Sequence, residues 1–249
     1  MTERIRRFMK ESCKDVLMDL IYPRHCPLCD TVLRFQAGVV CERCLQSQKR
    51  IKPPYCMKCG KTVEDVEEEY CKDCMVVPKS FQQGFPVFVY KGAVKQALYD
   101  FKYKNQRSFG DFFATCIVEQ YGDILNGLHI DGIVPVPLHK SKKHARGYNQ
   151  AEILAKALEK RLMIPMYPSY IARTINTNPQ KELNDKTRLK NLKNAFKIGE
   201  NKIKLKKVLL VDDIYTSGAT IEACTQVLLN TGVQEVYYTS VAIGKGYSE

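Results

Sequence analysis

The chain of 249 residues lacks any apolar run long enough to cross a membrane. A membrane helix needs about 18 to 20 consecutive apolar residues, and no stretch of the sequence approaches that length. The first fifteen residues, MTERIRRFMKESCKD, are too charged to hold the apolar region of a secretory signal. We therefore expect a cytoplasmic protein with no integral membrane segment, in a compartment that keeps its thiols reduced.

Acidic residues are few compared with basic ones. Lys and Arg total 39 against 27 Asp and Glu, which gives a formal charge of +12. The excess is local, because residues 138–207 contain 18 basic and 5 acidic side chains. Such a segment can follow a nucleic-acid backbone, and Tyr148, Tyr167 and Tyr170 could stack on single-stranded bases. A pyrophosphate site or an ordinary solvated surface explains the same charge equally well.

Eight of the eleven cysteines form four Cys-x-x-Cys pairs, each starting 15 residues after the last. Two residues between thiolates direct both sulfurs at one tetrahedral ion, and two such pairs complete a closed zinc site. The pattern predicts two structural zinc ions, in ribbons 26–44 and 56–74, although pairing the first pair with the third satisfies the same stereochemistry. The predicted ligands are Cys26, Cys29, Cys41, Cys44, Cys56, Cys59, Cys71 and Cys74.

Three segments differ in pattern. Residues 4–21 carry apolar side chains at helical spacing, so residues 1–24 are expected to pack on the main domain as an amphipathic helix; a helix lying on the inner membrane surface is the alternative. Residues 25–80 are expected to form the double ribbon.

Residues 81–249 alternate strands and helices, which is typical of βαβ units and a parallel sheet. The predicted strands are 85–90, 132–137, 166–171, 207–211 and 235–243, and the predicted helices are 91–105, 108–121, 149–162 and 217–230.

The most informative stretch is residues 208–220, VLLVDDIYTSGAT. A buried strand is followed by two carboxylates, Asp212 and Asp213, and then by a loop of small and hydroxyl residues that opens a helix. Ligands bind at the carboxyl ends of parallel strands, and a helix N-terminus offers free N–H groups to a phosphate. Adjacent carboxylates can accept hydrogen bonds from a vicinal diol, so the stretch outlines a ribose 5-phosphate pocket. A Walker loop is disfavoured because Gly218 is followed by Ala219 and not by Lys.

This stretch resembles the 5-phosphoribosyl-1-pyrophosphate motif of type I phosphoribosyltransferases. The chain as a whole resembles the ComF family of competence proteins over most of its length. Three features carry that likeness: the double ribbon, the run VPVPLH at 134–139 and the run RGYNQ at 146–150. A further set of single positions matches, namely Arg173, Thr177, Gln180, Leu183, Arg188, Asn191 and Phe196.

The resemblance implies an α/β fold with a type I phosphoribosyltransferase-like parallel sheet, helices on both faces, and an N-terminal four-cysteine zinc-ribbon module. It assigns Asp212 and Asp213 to the ribose hydroxyls, and Mg²⁺ to a bridge between those hydroxyls and the pyrophosphate. A flexible loop is expected near residues 174–190. The 5-phosphate is expected at Thr216, Ser217, Gly218, Ala219 and Thr220, and the pyrophosphate at Leu138, His139, Lys140 and Arg146.

Two functions follow from the resemblance. The first is a protein of DNA uptake that binds phosphoribosyl pyrophosphate or ribose 5-phosphate, with single-stranded DNA and a helicase-like competence ATPase as partners. The second is an active phosphoribosyltransferase, amidophosphoribosyltransferase-like or acting on a nucleobase, with an unknown acceptor and no role with DNA. Some purine-salvage relatives carry an acid at the position of Thr216, and its absence here disfavours purine salvage.

Overall fold

The computed structural model describes residues 23, 25–33, 40–47, 49–175, 195–199 and 203–244. The predicted N-terminal helix and most of the predicted flexible loop lie outside these residues. The chain divides into two compact units, Met1–Gln48 and Lys49–Glu249. The boundary falls between the two cysteine ribbons. Among the described residues, no helix combines the length and apolar character needed to span a bilayer.

The first unit is built on a turn and a short helix. The turn after Cys26 closes through hydrogen bonds from the Cys26 N–H to the Thr31 carbonyl, 2.8 Å, and from the Asp30 N–H to the Cys26 carbonyl, 2.9 Å. Asp30 adopts a left-handed backbone with φ +60°, a conformation that aspartate tolerates in turns. Helix α1, Glu42–Ser47, follows Cys41 directly, so that the second cysteine pair lies at the start of this helix.

The second unit is organised around a parallel sheet of four strands, which pair in the order β1 (Gly84–Val89), β6 (Glu235–Ile243), β5 (Lys207–Tyr215) and β2 (Gly132–Pro135). All four strands are parallel, as the alternation of strands and helices predicts. Because neighbouring side chains of a strand face opposite sides, the complete burial of residues 208–211 requires cover on both faces. Helices supply that cover: Ile221, Cys224 and Leu228 of one helix share a cluster with Val208 and Leu210. The elements are α2 Lys72–Val76, β1 Gly84–Val89, α3 Gly92–Tyr103, α4 Phe109–Gly127, β2 Gly132–Pro135, α5 Lys140–Arg146, α6 Gln150–Leu162, β3 Ile171–Arg173, β4 Phe196–Ile198, β5 Lys207–Tyr215, α7 Ala219–Leu229 and β6 Glu235–Ile243.

Three elements differ from the sequence prediction. Strand β5 continues to Tyr215, because its ladder with β6 runs on until Tyr215 pairs with Ile243. The predicted strand at 166–171 is wrong: Met166 makes a single bridge to Ile133, and the regular strand β3 begins only at Ile171. That strand pairs antiparallel with β4, which carries no strong pattern of its own.

Helix α5 was not predicted, because its seven residues, KSKKHAR, carry no apolar stripe. The residues at its two ends explain why this helix forms. The Nδ1 atom of His139 accepts a hydrogen bond from the Ser141 N–H at 3.3 Å, which caps the N-terminus. Gly147 ends the helix in a left-handed conformation with φ +79°, which glycine adopts without steric cost.

The second ribbon is joined to the edge of the sheet. The Tyr238 hydroxyl on β6 donates a 2.7 Å hydrogen bond to the Cys59 carbonyl. The Gly84 N–H on β1 donates to the Lys58 carbonyl at 2.8 Å. Glycine is required at position 84, because a Cβ atom there would lie 2.1 Å from the Tyr238 ring. The ribbon and the sheet therefore form one core.

We expect Gly84→Ala to destabilise the second unit by about 1–3 kcal/mol, because the Tyr238 ring must move to admit the methyl group. Gly127→Ala is the matched control: it lies at the end of α4 with nothing within 4 Å of its Cβ position, so alanine there should be neutral or slightly stabilising. Thermal unfolding of both variants measures the difference. Equal melting temperatures would contradict the proposed close contact.

Candidate functional site

The eight predicted cysteine ligands form two clusters, each with four sulfur atoms within 4.8 Å of one another. The Sγ atoms of Cys29 and Cys41 are 3.6 Å apart in the first cluster, and those of Cys59 and Cys71 are 3.6 Å apart in the second. Tetrahedral zinc with bonds of about 2.3 Å places its sulfur ligands about 3.8 Å apart. The donors therefore fit zinc, and the pairing follows chain order; the crossed arrangement is wrong. The first cluster is Cys26, Cys29, Cys41 and Cys44, and the second is Cys56, Cys59, Cys71 and Cys74.

The clusters are structural sites. Four thiolates leave no open coordination position on zinc, so neither cluster can activate water or substrate. The Thr31 hydroxyl, 3.3 Å from the Cys29 sulfur, lowers the pKa of that thiol to about 6, which favours the thiolate that binds metal. Cys56 and Cys59 belong to the same buried cluster as Tyr238 and Phe81. Cys116 and Cys224, which belong to neither cluster, are buried, and Cys13 lies outside the described residues.

Asp212 and Asp213 lie inside the last part of β5, near the carboxyl edge of the sheet. The Asp213 N–H donates to Oδ1 of Asp212 at 2.8 Å. The Nζ atom of Lys102, near the end of α3, lies 2.8 Å from Oδ2 of Asp213. Lys102 was not identified from the sequence. It is one of several lysines in an ordinary amphipathic helix, and only the fold brings it to the acids.

Burial and the neighbouring charge of Asp213 raise the pKa of Asp212 to about 7, while the Lys102 ammonium opposes that rise. Burial lowers the pKa of Lys102, but the charges of Asp213 and Asp212 more than offset this effect and the net shift is upward. The lysine therefore favours the ionised form of Asp212, and burial and the second carboxylate oppose it.

Two further cations lie close enough to these groups to affect their charge. Arg173 lowers the pKa of Asp212, and Arg146 lowers the pKa of Lys102. Burial lowers the pKa of Lys142, and the charges of Arg173 and Arg146 lower it further. Positive charge from α3 and β3 thus acts on Asp212, and the cations of α5 lie near those of α3 and β3. Such a site favours an anionic ligand that also carries hydroxyl groups.

The loop between β5 and α7 has the form of a phosphate cradle. Gly218 has φ +76°, and a Cβ atom there would lie 2.1 Å from the Tyr215 hydroxyl oxygen. Helix α7 begins at Ala219 without a side-chain cap, so its first N–H groups face the loop of Thr216, Ser217 and Thr220. Buried Lys79 donates from Nζ to the Ser217 carbonyl at 3.2 Å. This lysine, which follows the second ribbon, was also not identified from the sequence.

The predicted pyrophosphate residues fall into two groups. Arg146 lies at the end of α5, where its Nη1 donates to Oε1 of Gln150 at 2.5 Å, and its charge acts on Lys102. Leu138 is half-buried, the His139 ring caps α5, and Lys140 is exposed. Contact of these residues with a pyrophosphate stays a prediction.

Two of the three predicted stacking tyrosines are buried. Tyr148 is 6% exposed and donates from its hydroxyl to the Phe101 carbonyl, and Tyr170 is 5% exposed and donates to the Ile203 carbonyl at 3.2 Å. A nucleic-acid base cannot reach either ring, so that interpretation is wrong for both. Tyr167 is half-buried and tilts against Tyr170, with ring centroids 6.3 Å apart.

The two zinc sites are expected to differ in their effect on the fold. Cys59→Ser should remove zinc from a buried cluster that is part of the sheet core, and the second unit should lose several kcal/mol of stability. Cys41→Ser, in the first unit, is the matched variant. Metal analysis should find one zinc fewer in each, and thermal unfolding of the second unit should fall only for Cys59→Ser. Unchanged zinc content in both would contradict the metal assignment.

Two family models match the chain. The double zinc ribbon domain matches residues 17–75, and the phosphoribosyl transferase domain matches residues 145–246. The first range holds both cysteine clusters, and the second holds the acid pair, the phosphate loop and Arg146.

Curated relatives match nearly the whole chain. DNA utilization protein YhgH of Escherichia coli (strain K12) is 26% identical over 220 residues, 87% of this chain and 96% of the relative. Competence protein ComFC of Bacillus subtilis (strain 168) is 26% identical over 200 residues, 78% of this chain and 79% of the relative. Competence protein F of Haemophilus influenzae is 30% identical over 223 residues, 87% of this chain and 96% of the relative. The chain therefore belongs to the ComF family of competence proteins, with a double zinc ribbon and a type I phosphoribosyltransferase-like domain.

Proposed function

We propose that this protein binds a ribose 5-phosphate unit, supplied as phosphoribosyl pyrophosphate with Mg²⁺, and acts as a phosphoribosyltransferase-like factor of DNA uptake. One observation carries the first part: Asp212 and Asp213 lie near the carboxyl end of β5, whose loop leads to the uncapped N-terminus of α7, and Lys102 contacts Asp213. The names of the relatives support the second part.

Each group has a task under this proposal. The carboxylates accept hydrogen bonds from the 2′- and 3′-hydroxyls, and the N–H groups and hydroxyls of residues 216–220 receive the 5-phosphate. Arg146, Lys142 and Arg173 supply positive charge for the pyrophosphate. Mg²⁺, when bound, would neutralise pyrophosphate oxygens and would be held mostly by oxygens of the ligand and by water. If the protein is an enzyme, the same cations stabilise the departing pyrophosphate.

Calorimetry with Mg²⁺ and phosphoribosyl pyrophosphate tests the pocket. Asp212→Asn combined with Asp213→Asn should weaken binding at least tenfold, because amides accept hydrogen bonds less strongly than carboxylates. Asp123→Asn on the exposed surface of α4 is the control and should bind as the parent protein does. No heat from the parent protein would overturn the pocket assignment.

The binding should also depend on pH. Because the pKa of Asp212 is raised to about 7, its ionised, hydrogen-bond-accepting form grows as pH rises from 6 to 8. Ligand affinity should therefore increase over this range. The ligand phosphate also titrates near pH 6, so the Asp212→Asn variant separates the two causes, since only the phosphate contribution should survive in it. An identical pH profile in both proteins would contradict the role of Asp212.

A surface beside the pocket favours single-stranded DNA as a second ligand. Tyr99 and Tyr103 on α3 are 51% and 62% exposed, with ring centroids 5.0 Å apart. The Arg146 guanidinium lies 5.0 Å from the centre of the Tyr103 ring. Exposed rings beside the basic helix α5 offer stacking and backbone charge together, as single-strand binding requires.

Replacing both Tyr99 and Tyr103 with alanine should weaken single-stranded DNA binding about 5- to 150-fold for each base stack lost. The measurement is fluorescence anisotropy with an oligonucleotide at two salt concentrations. The Asp212→Asn, Asp213→Asn variant should bind DNA normally, since its pocket is separate from the rings. Undiminished binding by the alanine variant would exclude this surface.

An active phosphoribosyltransferase without a role with DNA is the competing proposal. Release of pyrophosphate in the presence of amine or nucleobase acceptors would support it. A helicase-like competence ATPase as partner remains a prediction, and co-purification of the two proteins tests it.

A further inference from the structure

The segment Arg146–Gln150 holds the end of α3. The Tyr148 hydroxyl donates a hydrogen bond to the Phe101 carbonyl. Nε2 of Gln150 lies 3.4 Å from the same carbonyl oxygen and 3.5 Å from that of Lys102. The last carbonyls of a helix have no partner within the helix, so these two side chains satisfy groups that would otherwise be unpaired. They fix the backbone at the residue whose side chain reaches Asp213.

The segment is itself anchored on two sides. Arg146 donates to Oε1 of Gln150, which orients the amide so that its Nε2 faces α3. Asn149 caps α6 by accepting from the Ala151 N–H at 3.1 Å, and its Nδ2 donates to the Val136 carbonyl at 3.0 Å, just beyond the end of β2. One run of five residues therefore connects α3, α6 and the end of β2.

We propose that Lys102 is a fixed cation of the ribose-phosphate site, and that the Arg146–Gln150 segment is the device that holds it against Asp213. This inference rests on the proposed function and deepens it. Under this inference the run RGYNQ positions Lys102, in addition to supplying the positive charge of Arg146.

The burial of the pair supports a binding role. The side chains of Lys102 and Asp213 are 19% and 12% exposed. An ammonium group leaves water at a large cost in solvation free energy, and a stable sheet does not require this pair, because apolar residues of similar volume would fill the space. Beside two carboxylates, the ammonium changes the charge of the site. It favours the ionised form of Asp212 and offsets one of the two carboxylate charges, which reduces the repulsion of an anionic ligand.

The charged groups around the acids determine the pH dependence that this role predicts. Asp213, Lys102, Arg173 and the Cys224 thiol face Asp212, and Arg146 acts on Lys102. Removing the Lys102 ammonium takes away one of the charges that favour the ionised form of Asp212, so the pKa of Asp212 should rise further. Arg173 remains, so Asp212 can still ionise when the solution is alkaline.

Lys102→Met, which retains the apolar stem, tests the proposal by calorimetry with Mg²⁺ and phosphoribosyl pyrophosphate. We expect at least a tenfold loss of affinity at pH 7 and a clearly smaller loss at pH 9, because alkaline solution restores the Asp212 carboxylate. Lys95→Met, exposed on the same helix, is the control and should bind normally at both pH values. An ion pair with only a structural role would give the same loss of affinity at pH 7 and at pH 9.

The second experiment tests the segment. Tyr148→Phe removes one hydrogen bond and should weaken ligand binding about fivefold. Tyr121→Phe is a matched control, because the Tyr121 hydroxyl is also buried and donates to a backbone carbonyl, that of Pro86, at 2.8 Å. It should lower the melting temperature by a similar amount without changing affinity. In the double variant Lys102→Met, Tyr148→Phe, the affinity should match that of Lys102→Met alone.

The outcomes separate the two claims. No heat from the parent protein overturns the proposed function and this inference together. Heat from the parent protein with undiminished binding by Lys102→Met, or a loss that is equal at pH 7 and pH 9, overturns the inference alone. Additive losses in the double variant overturn the positioning task of the segment.

Discussion

The candidate site depends on a pair of adjacent carboxylates at the end of a buried strand. Asp212 and Asp213 stand side by side in β5, where burial and the charge of Asp213 both raise the pKa of Asp212. Two cations from separate elements oppose that rise: Lys102 comes from α3 and Arg173 from β3. The helices must therefore be placed accurately for the acids to function as acceptors. The polar segment between α5 and α6 serves that placement rather than the hydrophobic core.

The second ribbon supports the other side of the pocket. Its knuckle is hydrogen-bonded to Tyr238, the Tyr238 ring stacks on Tyr215 with centroids 4.8 Å apart, and Tyr215 limits the space at Gly218 in the phosphate loop. Lys79, just after the ribbon, reaches the same loop. The second cysteine cluster, which has no catalytic role, is thus connected through the rings of Tyr238 and Tyr215 to the residues proposed to bind phosphate. The second cysteine cluster is therefore connected to the proposed pocket through packing and not through coordination.

Patterns in the sequence predicted the features that depend on local spacing. The cysteine pairs predicted both metal clusters, and the apolar run before Asp212 predicted the central strand and the acids at its end. Features that depend on distant partners were missed. Lys102 and Lys79 lie more than a hundred residues before the groups they contact, and no local pattern distinguishes them from surface lysines. The buried rings of Tyr148 and Tyr170 were misjudged for the same reason, because their partners are backbone carbonyls that only the fold brings near.

The strand order β1-β6-β5-β2 has a consequence for how the chain is made. The inner strands β5 and β6 come last in the sequence, so β1 and β2 are synthesised before the strands with which they pair. Sheets with such distant pairings form slowly, and a strand edge that stays unpaired during this time can aggregate. Lys58 and Ile51, which are made earlier, hydrogen-bond to Gly84 and Val87 along the outer edge of β1. The second ribbon can therefore cover this edge of β1 before the neighbouring strands have been synthesised.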